Sequence, residues 1–444
     1  MNILQINTAD KGGGAEGSAF NLFKRYREAG HTSWLAVGTK YTSDPDVFEI
    51  PRLPAPGLLN ALSFKAANLA RTWDKRGIKG MRRLARILDR YANPMRLQAW
   101  RQGREEYDFP GCSRLLGSLP GTPDIIHCHN LHGWFFDLRL LAQLSSSFPV
   151  VLNLRDTWLL TGHCAYFMDC TRWKEGCGSC PALNRYPAIQ KDATAQNWLA
   201  KKQIYQQSRL FVTAPSQWLI DQAKASMLNA AEYKVIPNGI DTTVFRPLDQ
   251  QEARKRLQLP PSVKIAMVAT ASPKNLFKDP KTLCETLHLL AQKMPELHFL
   301  CVGTDLGELH TLPNMHRFPY ISSPEKMADC YRASDLFIHT AHAEAFGKTV
   351  TEAMACGTPV VATAVGGITE QVIQRKTGFL AAYGNAEEHA MQALKILMEK
   401  NEENRQNMRM TCASHASGYS LDRQQQAFLN WYAEIITEFH HNKP

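Results

Sequence analysis

The sequence predicts an α/β protein of two domains, each a parallel sheet wound with helices. Three observations predict it. Apolar, strand-like runs alternate with helical patterns along most of the chain. Its 444 residues are too many for one hydrophobic core. Pro237 and Gly239, then Pro247, break the rhythm and set a junction near 240–260, giving domains over 1–245 and 246–420. With 44% hydrophobic, 21% charged and 9% aromatic residues, the composition is globular and excludes a disordered chain, a collagen or a disulfide scaffold.

In the first half, residues 3–7, 33–37, 124–129, 150–154 and 210–213 read as strands; in the second, 264–269, 298–303, 336–339 and 360–362 do so. Residues 58–104 do not fit this pattern. Ile78, Met81, Leu84, Leu88 and Tyr91 recur there at helical spacing, and eleven basic residues between Arg71 and Arg104 face only Asp74 and Asp89. This segment therefore holds +9 of the chain's formal +10. Two readings stand: a basic amphipathic helix on an anionic membrane surface, each Lys or Arg contributing about 1 kcal/mol, or a solvated insertion whose apolar stripe packs on its own domain.

The first residues lack the basic start and apolar run of a secretory signal, and no apolar run of about 18 residues predicts a spanning helix. Eleven cysteines in such a chain fit a reducing cytosol. Four of them, Cys164, Cys170, Cys177 and Cys180, lie in a loop over 161–181. They suit a structural zinc site, with His163 as a substitute ligand, reduced thiols in a packed loop, or a redox pair.

After the first strand, Gly12, Gly14 and Gly17 form a G-x-G-x-x-G pattern with Gly13 inside it. Such a loop brings amides to a phosphate at a helix start. A nicotinamide fold also needs an acid at the end of the second strand, and the next one here is Asp44. A sharp turn without a ligand is the other reading; the favoured one faces a cleft near a diphosphate or an acceptor.

Residues 344–367 read EAFGKTVTEAMACGTPVVATAVGG. If Gly347 opens a helix, the amides of Gly347, Lys348 and Thr349 form an anion site without a metal. Glu344 precedes that end and Glu352 lies about one turn inside; carboxylates there suit a sugar ring and a ribose diol.

This stretch resembles the E-x7-E region of retaining family 4 glycosyltransferases, which have the two-domain GT-B fold. The resemblance extends to Gly13 and Gly14, Glu28 to His31, His127 to His129, Ala214 to Ser216, and Ile236 to Asp241. Asp156 to Trp158, Thr161 to Tyr166 and Trp173 to Pro181 resemble the colanic-acid-type branch that builds exopolysaccharides or O-antigens. It implies two Rossmann-like domains facing an interdomain cleft, with a C-terminal helix over 421–444 crossing back to the first.

The resemblance further implies a nucleotide-diphosphate sugar donor and a saccharide or polyprenyl-diphosphate-linked acceptor. The enzyme would work in the cytoplasm, peripherally at the inner face of the membrane, with the basic segment 71–104 on the anionic surface. Glu344 would contact hydroxyls of the transferred sugar, Glu352 the ribose, and Phe346, Gly347, Lys348 and Thr349 the distal phosphate. Lys278 matches the family's diphosphate-neutralising lysine. Ser272 stands where the family has Arg, with Lys274 two residues on to compensate. His129 matches a cleft-facing histidine whose ring or backbone would touch the transferred sugar, His127 being packed beside it. Arg155 and Asp156 stand where relatives often have His-Asp. Catalysis would need no cofactor, the leaving phosphate itself taking the acceptor proton on the front face.

Two other classes are weighed. A nicotinamide oxidoreductase lacks its acid. A basic, zinc-containing nucleic-acid-binding protein needs interleaved aromatics, whereas the basic segment has few, Trp73, Tyr91 and Trp100, and the cysteine spacing fits no finger; nucleic acid is therefore not expected as a partner.

Overall fold

The computed structural model of the chain describes residues 1–270, 275, 277–303 and 312–441. They form two compact units. One comprises Met1–Ala214, Ile220–Val235 and the residues from Phe428 on; the other, Pro215–Leu219 and Ile236–Ala427.

The first unit has strands β1 (Asn2–Ala9), β2 (Thr32–Thr39), β3 (Val47–Glu49), β4 (Ile125–Cys128), β5 (Val150–Asn153), β6 (Leu210–Ala214) and β7 (Glu232–Val235). Its helices are α1 (Gly14–Glu28), α2 (Leu58–Lys75), α3 (Met81–Tyr91), α4 (Pro94–Arg101), α5 (Leu140–Ser147) and α6 (Thr194–Gln206); α7 (Gln217–Lys224) begins in the other unit. The sheet is parallel, in the order β3-β2-β1-β4-β5-β6-β7. Ile3 lies in register with Ser33 on one side and Ile125 on the other. β4, β5 and β6 are buried throughout, which is why they read as unbroken apolar runs.

The second unit has α8 (Gln250–Arg256), β8 (Ile265–Thr270), α9 (Pro280–Lys293), β9 (His298–Gly303), β10 (Met315–Phe318), α10 (Pro324–Ala333), β11 (Leu336–His339) and α11 (Lys348–Ala355). β12 (Val360–Thr363), α12 (Ile368–Gln371), β13 (Gly378–Ala381), α13 (Ala386–Leu397), α14 (Glu402–Ala416) and α15 (Leu421–His441) follow. The parallel order is β10-β9-β8-β11-β12-β13. Period-two alternation puts Met267, Phe337 and Val360 in one core with Val350 and Met354, and Val268, Ile338 and Val361 in another with Leu283 and Leu287. Helices thus cover both faces.

From Phe428 on, α15 belongs to the first unit. Phe428, Tyr432, Ile435 and Phe439, a stripe at i, i+4, i+7 and i+11, are buried. The Tyr432 hydroxyl is 3.0 Å from that of Tyr26 and accepts from His127 Nδ1, whose Nε2 accepts from the Asn153 side-chain amide.

The segment that broke the α/β rhythm forms α2, α3 and α4. Its apolar stripe is only partly covered. Met81 and Leu88 are half-buried, whereas Ile78 is 48%, Leu84 39% and Tyr91 51% exposed, and the buried positions of α3 are Ala85, Asp89 and Arg90. The domain thus covers the stripe only in part, and at Asp89 and Arg90 the charged face turns inward, Asp89 meeting Arg52 and Arg71 and Arg90 meeting Glu106.

Candidate active site

In each sheet the strand order reverses once, between β1 and β4 in the first unit and between β8 and β11 in the second. Ligands of open α/β sheets bind beyond the carboxyl ends of strands at such a point.

In the second unit, β11 ends at His339 and α11 starts at Lys348, with Glu344 between. An isolated bridge joins Lys278 to Ala341, and the His342 amide donates to the Phe277 carbonyl at 2.9 Å. Asp279 caps α9 through the Thr282 amide at 3.0 Å, with Pro280 at the first turn; its own carbonyl accepts from the Thr340 hydroxyl at 2.7 Å. Lys278 is thereby held from both directions.

Its ammonium lies 2.6 Å from Glu344 Oε2 and 3.1 Å from His339 Nε2. Because it donates to both, His339 accepts through Nε2 and carries hydrogen on Nδ1. Burial, then the Lys278 charge, push His339 down to about 3, so it is neutral. Burial raises the Glu344 carboxyl, but Lys278, His339 and the Phe346 amide outweigh it and hold the group below the usual range. Burial also raises Glu352, and there Lys348 at 3.6 Å and the Tyr331 hydroxyl at 3.4 Å offset only part of the rise. Two carboxyls eight residues apart thus differ in character, Glu344 the stronger acid.

Gly347 opens α11 at φ +91, and no side chain caps that helix start. A Cβ at Gly347 would stand 3.1 Å from Ile368 Cγ1. The preceding peptide is clamped. Gly366, at φ +51, packs so closely that a Cβ would fall 1.9 Å from the Glu344 carbonyl oxygen, which accepts from the Gly367 amide at 3.1 Å. The Ser216 hydroxyl donates to the Ala345 carbonyl at 2.8 Å, and the Gln371 side-chain amide donates to that of Phe346.

In the first unit, the ends of β1 and β4 bring together Gly13, Gly14, His127 and His129. The His129 ring is fully buried, Nε2 lying 2.7 Å from Gln5 Oε1 and Nδ1 3.3 Å from Arg155 Nη2. Arg155 donates to Nδ1, so Nε2 carries the hydrogen and donates to Gln5. Burial holds His127 and His129 well below the ordinary histidine value. The expected ring contact from His129 is thus taken up within the protein, and Arg155, half-buried and drawn down by burial to about 10, is the cation at this strand end. His127 is packed, as its neighbours Asn153 and Tyr432 require. Gly13 and Gly14 open α1 without a side-chain cap. A Cβ on Gly13 would meet the Glu16 carboxylate at 3.3 Å, an acid that opposes a phosphate on the loop itself.

Ser272 and Lys274 lie outside the described residues. A zinc site in the cysteine loop is not shown. Among the described residues no three His, Cys, Asp or Glu side chains converge as metal ligands, and all four cysteines are free. Cys177, at φ +56, spends its thiol on the Gly162 amide at 3.3 Å, and burial raises the Cys164 thiol. Sequence reasoning passed over His339 and the clamp at Gly366. The first ends a recognised strand, where chemistry collects; the second is the last glycine pair of the 344–367 stretch.

A model of glycosyltransferase family 4 matches residues 12–244, more than half of the chain, and one of glycosyl transferases group 1 matches 249–411. The chain is 26% identical over 386 residues to WcaC of Escherichia coli strain K12, named as a colanic acid biosynthesis glycosyl transferase, with 82% of this chain and 83% of that one covered. It is 34% identical over 160 residues to the D-inositol 3-phosphate glycosyltransferase of Segniliparus rotundus, covering 33% of this chain and 35% of that one. Anabaena HepE in complex with UDP superposes with a TM-score of 0.64 at 18% identity, over 98% of this chain and 100% of the other. WaaG, a glycosyltransferase involved in lipopolysaccharide biosynthesis, gives 0.60 at 14% identity, over 96% and 98%. These structures share the GT-B fold, two Rossmann-like domains built on parallel sheets. With its sheets of that kind and a family model spanning most of its first half, the chain belongs to glycosyltransferase family 4.

Proposed function

We propose that the protein moves a sugar from a nucleotide-diphosphate sugar to a saccharide on a polyprenyl-diphosphate carrier, with retention at the anomeric carbon and no catalytic metal. The product would be a bacterial surface polysaccharide, made at the inner face of the cytoplasmic membrane. The observation that carries this reading is the Lys278–Glu344 pair at 2.6 Å beside the uncapped start of α11.

Glu344, ionised, accepts from hydroxyls of the transferred sugar, and Glu352 from the ribose diol. Lys278 has three donors; Glu344 and His339 take two, leaving the third for the diphosphate. Lys274 and the amides from Phe346 through Thr349 complete the phosphate site. As the glycosidic bond to phosphate breaks, negative charge grows on the leaving oxygen, where the ammonium and the helix start already point. Positive charge grows on the sugar, near the Glu344 carboxylate. The leaving phosphate takes the acceptor proton on the same face, so no second carboxylate nucleophile is needed. WcaC is named for colanic acid synthesis and HepE is solved with UDP-glucose, which supports the donor and product classes.

Attachment to the membrane is supported by α2 to α4. Ten of the nineteen exposed large apolar side chains fall between Leu58 and Met95. Among the described residues no helix is long and apolar enough to cross a membrane. The charge is smaller at the surface than in the sequence, since Arg71, Arg90 and Arg96 are buried in ion pairs.

Thermal-shift titration with UDP-, GDP- and dTDP-sugars in excess chelator, followed by NMR of the product's anomeric carbon, tests the reading. Stabilisation by one nucleotide class and retained configuration are expected; indifference to every nucleotide sugar overturns it.

A further inference from the structure

We propose that the cavity between the α2–α3 hairpin and the loops after β1 and β4 is the seat of a lipid-borne diphosphate, the carrier end of the acceptor. This rests on the transferase reading above and assigns a second anion site, apart from the one at α11.

The cavity holds about 310 Å³. Arg52, Arg71, Arg82 and Arg86 line it, with Lys11 and Lys75 at its margin. Its acids are fewer and mostly engaged. Asp89 is shared by Arg52, at 3.4 Å, and Arg71, and Asp74 binds Arg82 at 3.2 Å. Glu16 stands at the glycine loop, where a sugar hydroxyl is its natural partner.

Three features call for an anion. The Nε–H groups of Arg52 and Arg71 are buried and have no hydrogen-bond acceptor among the described residues, a cost of about 1–3 kcal/mol each. Two guanidinium groups share one carboxylate, leaving a net positive wall. Arg86 makes no ion pair among the described residues and instead stacks on Trp134 at 4.0 Å. Trp134 adopts φ +63 to present that ring, a conformation that costs a bulky residue about 1–3 kcal/mol. A diphosphate esterified at both ends, with two charges and its terminal oxygens open to forked donors, satisfies all three.

The helix itself says what the diphosphate is attached to. Arg82, Arg86 and Asp89 recur at i, i+4 and i+7 on the cavity side of α3, while Leu84, Ile87 and Tyr91 recur on the exposed side. In water this amphipathicity is inverted. It is satisfied when the inner face meets an ion and the outer face meets hydrocarbon, as when one molecule brings both. A free acidic saccharide would explain the arginines and leave the leucines unexplained.

Calorimetry on the full chain with farnesyl diphosphate and with inorganic pyrophosphate tests this. Arg86→Gln, and Arg82→Gln should the first not fold, are expected to weaken farnesyl diphosphate by about tenfold or more. Lys278→Ala should leave that affinity within about twofold while lowering nucleotide affinity, the reverse of Arg86→Gln. Farnesyl diphosphate affinity that ignores both arginines, or that vanishes in Lys278→Ala, overturns the site. Pyrophosphate binding as tightly as farnesyl diphosphate overturns the lipid source. Arg86-dependent binding without any response to nucleotide sugars keeps this site and removes the transferase reading instead.

Discussion

Lys278 Nζ and Glu344 Oε2 lie 2.6 Å apart, and His339 is the ammonium's second acceptor at 3.1 Å. In the proposed reading this pair would tie leaving-group stabilisation to sugar recognition, so one substitution would damage both. Lys278→Ala should cost at least about a hundredfold in kcat, the loss typical of removing one transition-state donor. Stability gives a second readout. In the native protein Glu344 titrates below its unfolded value, so its contribution is present above that value and lost as pH falls through the folded one. Without Lys278, burial dominates and the sign reverses. The melting temperature of Lys278→Ala should fall further behind the native protein as pH rises from 4 to 8; a constant gap would show that the pair carries no charge.

Glu352 has the opposite sign. Burial raises its carboxyl, so its contribution is full below the unfolded value and lost as pH rises through the folded one. Glu352→Gln keeps the shape and removes the charge. Melting curves should show the variant gaining on the native protein between pH 5 and pH 8, while nucleotide affinity drops by about tenfold for one lost charge-assisted hydrogen-bond acceptor. Unchanged nucleotide affinity would remove Glu352 from the ribose site.

Gly366→Ala strikes the clamp on the loop that carries Glu344. The new methyl carbon would fall 1.9 Å from the Glu344 carbonyl, at a φ of +51 that disfavours any side chain. The loop must move, and a shift of about 1 Å at a reacting centre costs about a hundredfold. The variant should lose activity far out of proportion to its loss of melting temperature; full activity would mean that the loop's placement is not what positions Glu344.

Nine strands are legible in the sequence because each is central enough to be apolar throughout. The four that are not, β3, β7, β10 and β13, are the edges of the two sheets. β7 has no fully buried residue and β10 none either, so neither shows an apolar run. Glu344, Glu352 and Gly347 were legible because helix start and carboxylate spacing are local. His339 was not, since its meeting with Lys278 depends on a bridge between segments some sixty residues apart. The direction of α3 was also illegible: helical spacing gives two faces, and only Asp89, Arg52 and Arg71 decide that the charged one turns inward.

That inversion makes the membrane reading testable with one double variant. Leu84 and Ile87 are exposed in the free protein. Replacing both by serine should lower the melting temperature only modestly, because part of each side chain already lies outside the packing. Full burial of such a side chain is worth about 1.5–3 kcal/mol; with 39% of each left to bury, the pair contributes about 1–2 kcal/mol, so affinity for vesicles containing phosphatidylglycerol should fall by about tenfold in the double variant. Binding of the native protein should also weaken with salt, since Arg83, Lys79 and Arg76 are exposed cations at the same surface. Sedimentation with neutral and anionic vesicles measures both effects. A large fall in melting temperature with unchanged vesicle binding would instead place these residues in a protein core and end the membrane assignment.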